Sequence, residues 1–179
     1  MKRFKSFAML FASVLACSLV LSLSASAQSP KLSDPEIASV AVTANQIDID
    51  NAQIAKEKSK NADVQKFAQT MIADHQSVID QAAALVKKLN VTPKDNDVSK
   101  KLSSDAKTTQ ASLRSKSGKE FDKAYIDNEV AYHKAVISTV QDVLIAQVQN
   151  SDLKQLLQSV MPVLKTHLEH AEMVQKNLK

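Results

Sequence analysis

Between residues 33 and 178 the apolar side chains return at three- and four-residue intervals rather than alternating, so the chain reads as a series of amphipathic helices. The first is expected to start at Ser33, which caps with Glu36 three residues on and Pro35 in the first turn, and to run to about Ser59. Its inward stripe is Ile37, Ala41, Ala44, position 48, Asn51 and Ala55. A second helix, from near Asn61 to about Leu89, carries Val64, Phe67, Met71, position 75, Val78, Ala82, Leu85 and Leu89, and "NVTPKDND" ends it. Residues 96–115 are rich in Ser and Lys and hold only a thin stripe of Val98, Leu102, Ala106, Thr109 and Leu113, so this segment reads either as a short helix or as a crossover.

Ser117 and Glu120 form a further capping box, opening a helix with Ile126, Val130, position 133, Ile137, Val140, Leu144 and Val148 that stops at Asn150. The last helix is expected to be capped by Ser151 and to bury Leu153, Leu156, Val160, Leu164, position 167, Ala171, Val174 and Leu178. Pro162 removes one backbone donor from it and predicts a kink a turn before the histidines. No repeat unit is visible. With one glycine and four prolines among 179 residues, chain breakers are few. The fold class is all-α: a four-helix bundle with long helices and a long, partly helical central connection.

The N-terminus stands apart from this pattern. Lys2, Arg3 and Lys5 precede the apolar run "FAMLFASVLACSLVLSL" and the small-residue stretch "SASAQ", as in a secretory signal peptide over residues 1–27 with the mature chain starting at Gln28. A retained membrane anchor is the alternative, because the run is nearly long enough to span a bilayer. A lipoprotein at "VLAC" fits poorly, since the apolar run continues past Cys17. Cleavage would remove the only cysteine, Cys17, which excludes disulfides, thiolate metal ligands and a cysteine nucleophile from the mature protein. It would also lower the basic residues from 23 to 20 against 19 acidic ones, so the formal charge falls from +4 to +1. Nucleic-acid binding then has no basic patch to rest on. Residues 28–179 form one domain, with no further transmembrane helix expected and a location in the periplasm or elsewhere outside the cytoplasm.

Each of the four long stripes contains one polar, ligand-capable residue: Asp48, His75, His133 and His167. At about 1.5 Å per residue, counting from the turns brings Asp48 and His75 to within roughly 4–5 Å of one height. His133 and His167 lie equally far on either side of Asn150, and all four meet near mid-bundle. Glu129 precedes His133 by one turn and His170 follows His167 by one turn, which extends the candidate set. Asp74 lies about 100° off the His75 direction, and Tyr125 and Tyr132 are available as hydroxyl partners. Imidazole with carboxylate suits zinc, copper, nickel or non-haem iron, and helix bundles build such sites from inward side chains. A structural His–Asp hydrogen-bond network without metal uses the same residues.

The segments "NQIDIDNAQIA", "VQKFAQTMIADHQ", "EFDKAYIDNEVAYHKAV" and "LKQLLQSVMPVLKTHLEHA" resemble the exported bacterial proteins grouped as domain of unknown function 4142, over roughly Pro35 to Asn177. The resemblance implies a ferritin-like four-helix bundle. It also implies a carboxylate at Asp48, an Asp-His pair at Asp74 and His75, and single histidines at His133 and His167; the family's activity is unassigned. Ferritin-like di-iron sites take carboxylates from all four helices and two Glu-x-x-His pairs. No Glu-x-x-His occurs here: Glu129 and His133 are one residue too far apart, and His167 stands three before His170. Oxygen activation and iron storage are therefore not carried over.

No recognisable nucleophile, phosphate-binding glycine loop or substrate pocket can be read from the sequence. The expectation is an exported cell-envelope bundle with a binding, structural or stress-related role, with a transition metal or an unknown envelope component as its partner. An acid–base or metal-assisted enzyme using the same cluster is the alternative.

Overall fold

The computed structural model describes residues 31–178. The expected signal peptide and Cys17 lie outside the described residues. Five helices follow one another: α1 (Asp34–Lys58), α2 (Ala62–Lys88), α3 (Asp97–Ser115), α4 (Gly118–Thr139) and α5 (Ser151–Asn177). The expectation of an all-α bundle holds, and no strand occurs among the described residues.

The helix starts follow local chemistry. Glu36 accepts a hydrogen bond from the Ser33 backbone N–H at 2.9 Å, as expected for α1. Asn61 caps α2 by accepting from the N–H groups of Asp63 and Val64, and Asn96 caps α3 in the same way through Val98 and Ser99. Two expected caps are different. Asn150, not Ser151, caps α5, because the helix already begins at Ser151 and the Asn150 side chain accepts from the N–H groups of Asp152 and Leu153. Ser117 makes no side-chain cap for α4, and Glu120 is drawn instead into an ion pair with Lys116. The lone glycine, Gly118, has φ +55, a left-handed conformation that lets the chain reverse directly from α3 into α4.

Residues 96–115 resolve as a full helix that crosses the length of the bundle. At one end the Lys94 N–H bonds to the Pro35 carbonyl at 2.9 Å and the Ser39 hydroxyl to Asp95 at 2.8 Å. At the other, the Lys58 ammonium donates to the Arg114 carbonyl at 2.9 Å. Helix α3 therefore runs parallel to α1 along its outer side and returns the chain so that α2 and α4 point the same way. The four remaining helices form the bundle, with α1 packed on α2 and α4, and α5 on α4 and α2. The turn after α4 is tied to the start of α1, since Asp34 accepts from the backbone N–H groups of Gln149 and Asn150 at 2.9 and 2.8 Å.

Two further features shape the interior. α4 passes into a π-helical turn at Val140–Leu144 and a last turn at Ile145–Gln147, with Val140 and Leu144 both buried in the core. α5 continues through Pro162 without a break in its helix. The apolar core falls into two clusters. One, around Phe67, Met71, Phe121, Tyr125 and Ile126, fills the half of the bundle near the C-terminus of α1. The other, around Ile37, Val40, Leu144, Leu157 and Leu164, fills the opposite half. Between them lies a polar layer.

Candidate metal centre

The layer is built by one residue from each bundle helix: Asp48 from α1, His75 from α2, His133 from α4 and His167 from α5, all buried. Their meeting follows from similar distances to the turns, as the sequence predicts. The three imidazole rings have centroids 5.8 Å apart for His75 and His133, 5.1 Å for His75 and His167, and 5.5 Å for His133 and His167. One nitrogen from each lies within 4.8 Å of one nitrogen from both others. Asp48 Oδ2 is 3.3 Å from His75 Nε2 and 3.6 Å from His133 Nε2. Glu129, a turn before His133 on α4, is fully buried and lies with Asp48 and His133 in a second close group.

Hydrogen bonds on the outer side of each ring decide which nitrogen faces in with a lone pair. Asn45 donates its Nδ2 to the Ala41 carbonyl, which turns its Oδ1 toward His75 Nδ1 at 2.7 Å. An oxygen can only accept, so the proton is on His75 Nδ1 and the lone pair on Nε2. His133 Nδ1 donates to the Glu129 backbone carbonyl at 3.0 Å, again leaving Nε2 as the acceptor. His167 Nε2 donates to Asp74 Oδ2 at 2.9 Å, which leaves Nδ1 free. His75 Nε2, His133 Nε2 and His167 Nδ1 are all buried without a protein hydrogen-bond partner, and so are both Asp48 oxygens and Glu129 Oε2.

These six atoms are acceptors converging on one another, and acceptors cannot satisfy each other without a proton or a cation between them. Each buried unsatisfied group costs about 1–3 kcal/mol. Titration in the metal-free fold eases this only in part. Burial pushes Asp48 up to about 7 and Glu129 well above the ordinary carboxylate range, the latter helped by the Asp48 charge. Both carboxyls can thus carry one donor each. Burial presses His75 down to about 3, with the His167 and His133 rings adding to the effect, and His133 down to about 4. His75 and His133 stay neutral, the form in which an imidazole ligates a metal. Two protons turn two carboxyl oxygens into donors and still leave fewer donors than acceptors in the layer.

Not every candidate joins the layer. His170 is half-buried a turn farther along α5, where its ring stands edge-on to Phe67 at 5.2 Å between centroids. Three residues on a helix turn the side chain about 60° from His167, which carries it toward the apolar cluster around Phe67. Tyr132 gives its hydroxyl to the Ala44 carbonyl at 2.9 Å. Tyr125 is buried with its hydroxyl unpartnered, and burial, with the nearby Glu129 and Asp48, raises it above the usual phenol range. Two residues that matter were not read from the sequence as partners. Asn45, one turn before Asp48, had a signal, because it is polar and close to the inward stripe. Asp74 had a signal in the family resemblance, as an Asp-His pair with His75, but not as the partner of His167 on α5.

A cavity of about 300 Å³ adjoins the layer on the side of the α1 N-terminus. Asp48, His75, His133 and His167 are among its lining, and Val78, Ala82, Val140, Leu144, Leu157 and Leu164 continue it along the bundle. Its lining also includes Asp105 on α3 and Val163 on α5, both exposed, so it reaches the surface.

A family model described as Domain of unknown function (DUF4142) matches residues 21–174. The chain belongs to the DUF4142 family. The match takes in Asp48, Asp74, His75, Glu129, His133 and His167, so the polar layer is inside the DUF4142 region. No curated protein and no solved structure matches the chain. Among the described residues, no helix of this DUF4142 protein is long and apolar enough to cross a membrane.

Proposed function

We propose that this DUF4142 protein is an exported binding protein for one divalent transition-metal ion. His75 Nε2, His133 Nε2, His167 Nδ1 and the Asp48 carboxylate are the ligands, and Glu129 is a buried acid beside them. The observation that carries the reading is the convergence of three imidazole lone pairs whose opposite nitrogens each donate to a fixed acceptor, Asn45, the Glu129 carbonyl and Asp74. Outer acceptors of this kind orient ligating histidines and fix their tautomer. A three-nitrogen, one-oxygen set suits zinc, copper, nickel or iron(II), and its carboxylates are too few for a bridged di-iron centre.

The test is titration of untagged protein at neutral pH with each of these ions, followed by melting, for wild type and a His133→Ala/His167→Ala variant. Wild type is expected to bind one ion tighter than about 100 µM, equivalent to about 5.5 kcal/mol, and to melt higher when loaded. The variant should do neither. If wild type binds none of the ions that tightly, the cluster is a structural network and the metal reading fails. A second reading, a metal-assisted or acid–base enzyme, is favoured by the cavity that reaches His133 and His167.

A further inference from the structure

We infer that the cavity beside the polar layer binds a medium-chain aliphatic carboxylate, its chain in the apolar chamber and its carboxylate on the metal held by His75, His133 and His167. The inference rests on the metal reading above.

The chamber is apolar except at one end. Away from the polar layer its walls are mainly Ala, Val, Leu and Ile side chains from all five helices. Cavities with such walls stay dry and take apolar guests. At about 30 Å³ per water-sized group, about 300 Å³ holds on the order of ten non-hydrogen atoms, the size of octanoate. The shape therefore asks for a single short aliphatic chain with one polar head.

The head is chosen by charge. The lining has Asp48, Asp74 and Asp105 but no lysine or arginine. In the metal-free protein the end wall holds carboxyls and imidazole lone pairs and no cation to receive an anion. A divalent ion paired with Asp48 changes this, because the pair carries a net positive charge at the inner end of an apolar chamber, where electrostatic interactions are strong. An anionic oxygen donor neutralises it and completes the ion's coordination. A cationic amphiphile would do the opposite, pairing with Asp48 and the three lone pairs only when no metal is present.

The experiment uses the full mature chain and begins with zinc titration alone, so that the metal reading is scored first. Octanoate is then titrated calorimetrically into zinc-loaded and metal-free protein, with butyrate, hexanoate and octylammonium as comparisons. Expected results are octanoate binding at least tenfold tighter with zinc than without, and about a fourfold gain for each methylene from butyrate to octanoate. Cobalt(II) in place of zinc should show a changed visible absorption on adding octanoate, which a chain lodged away from the metal would not cause. Ala41→Phe and Ala82→Leu fill the chamber from α1 and α2; either, if folded by circular dichroism, should lose octanoate while keeping zinc. Octanoate binding equally with and without zinc overturns the inference while leaving the metal reading intact, and so does tighter binding of octylammonium to the metal-free protein. Failure of zinc to bind in the first titration overturns the inference, and failure of copper, nickel and iron(II) as well, in the titrations of the metal test, overturns the metal reading with it.

Discussion

Asp74→Ala separates a metal site from a structural network more cleanly than removal of a ligand does. Asp74 touches no metal position; its Oδ2 accepts the His167 Nε2 proton at 2.9 Å and so keeps the His167 lone pair on Nδ1, facing His75 and His133. Its side chain is 45% exposed, so truncation leaves no buried hole, and the loss of one half-exposed hydrogen bond should cost the metal-free fold within about 1 kcal/mol. Without the acceptor, His167 can place its proton on Nδ1, which removes a donor from the metal, or rotate away. Loss of such an outer partner lowers metal affinity about 10–100-fold, or about 1.4–2.7 kcal/mol. Competition for zinc against a chromophoric chelator measures this directly, and melting without metal checks the fold. Asp74→Asn should fall between wild type and Asp74→Ala, because the amide oxygen still accepts. Unchanged zinc affinity in a fully folded Asp74→Ala protein would refute the proposed tautomer control.

Metal binding should release a proton from Asp48, which burial raises to about 7 in the metal-free fold, and should release more of it at pH 6 than at pH 8, read by calorimetry in buffers of different ionisation enthalpy; a pH-independent count contradicts it. Stability without metal should fall above about pH 6.5. Asp48 and Glu129 are held neutral in the fold but ionise near 3.8 and 4.5 when unfolded, so the native state binds more protons and loses stability as pH rises. His75 and His133, held down to about 3 and 4 against 6.5 when unfolded, act in the opposite sense, but only below that pH, so the melting temperature should be nearly level between about 4.5 and 6.5. Glu129→Gln should lessen the alkaline fall, and a wild-type melting temperature that climbs from pH 6.5 to 8.5 would contradict this. Mature protein from cells should begin at Gln28 by intact mass, and recovery of the full-length chain would support an anchored form instead.

The four long helices and the depth at which they meet were legible because the stripes are continuous and the turns at positions 60 and 150 are sharp, so residue counts became heights. Those heights alone bring Asp48, His75, His133 and His167 to one level. Helix α3 was ambiguous for a physical reason: it only covers the outer side of α1 and needs few apolar residues, of which Ala106 and Leu113 are buried. The π turn at Val140–Leu144 was not legible, since the stripe through Val140 and Leu144 fits an ordinary helix as well. Asp74 was hidden because its role depends on α5 lying beside α2, a fact of packing rather than of local pattern. His170 shows the converse: a neighbour in sequence to His167, it is turned far enough to pack on Phe67.

The polar layer also bears on cooperativity. By parting the apolar clusters around Phe67 and Leu157, it leaves few apolar contacts at mid-bundle through which one half could sense the opening of the other. The two ends can then exchange their amide hydrogens as separate units, each with its own opening free energy. An ion bound to residues from α1, α2, α4 and α5 at that level would join them, so occupancy would be registered by backbone amides at both ends of the bundle as a merging of two exchange classes into one.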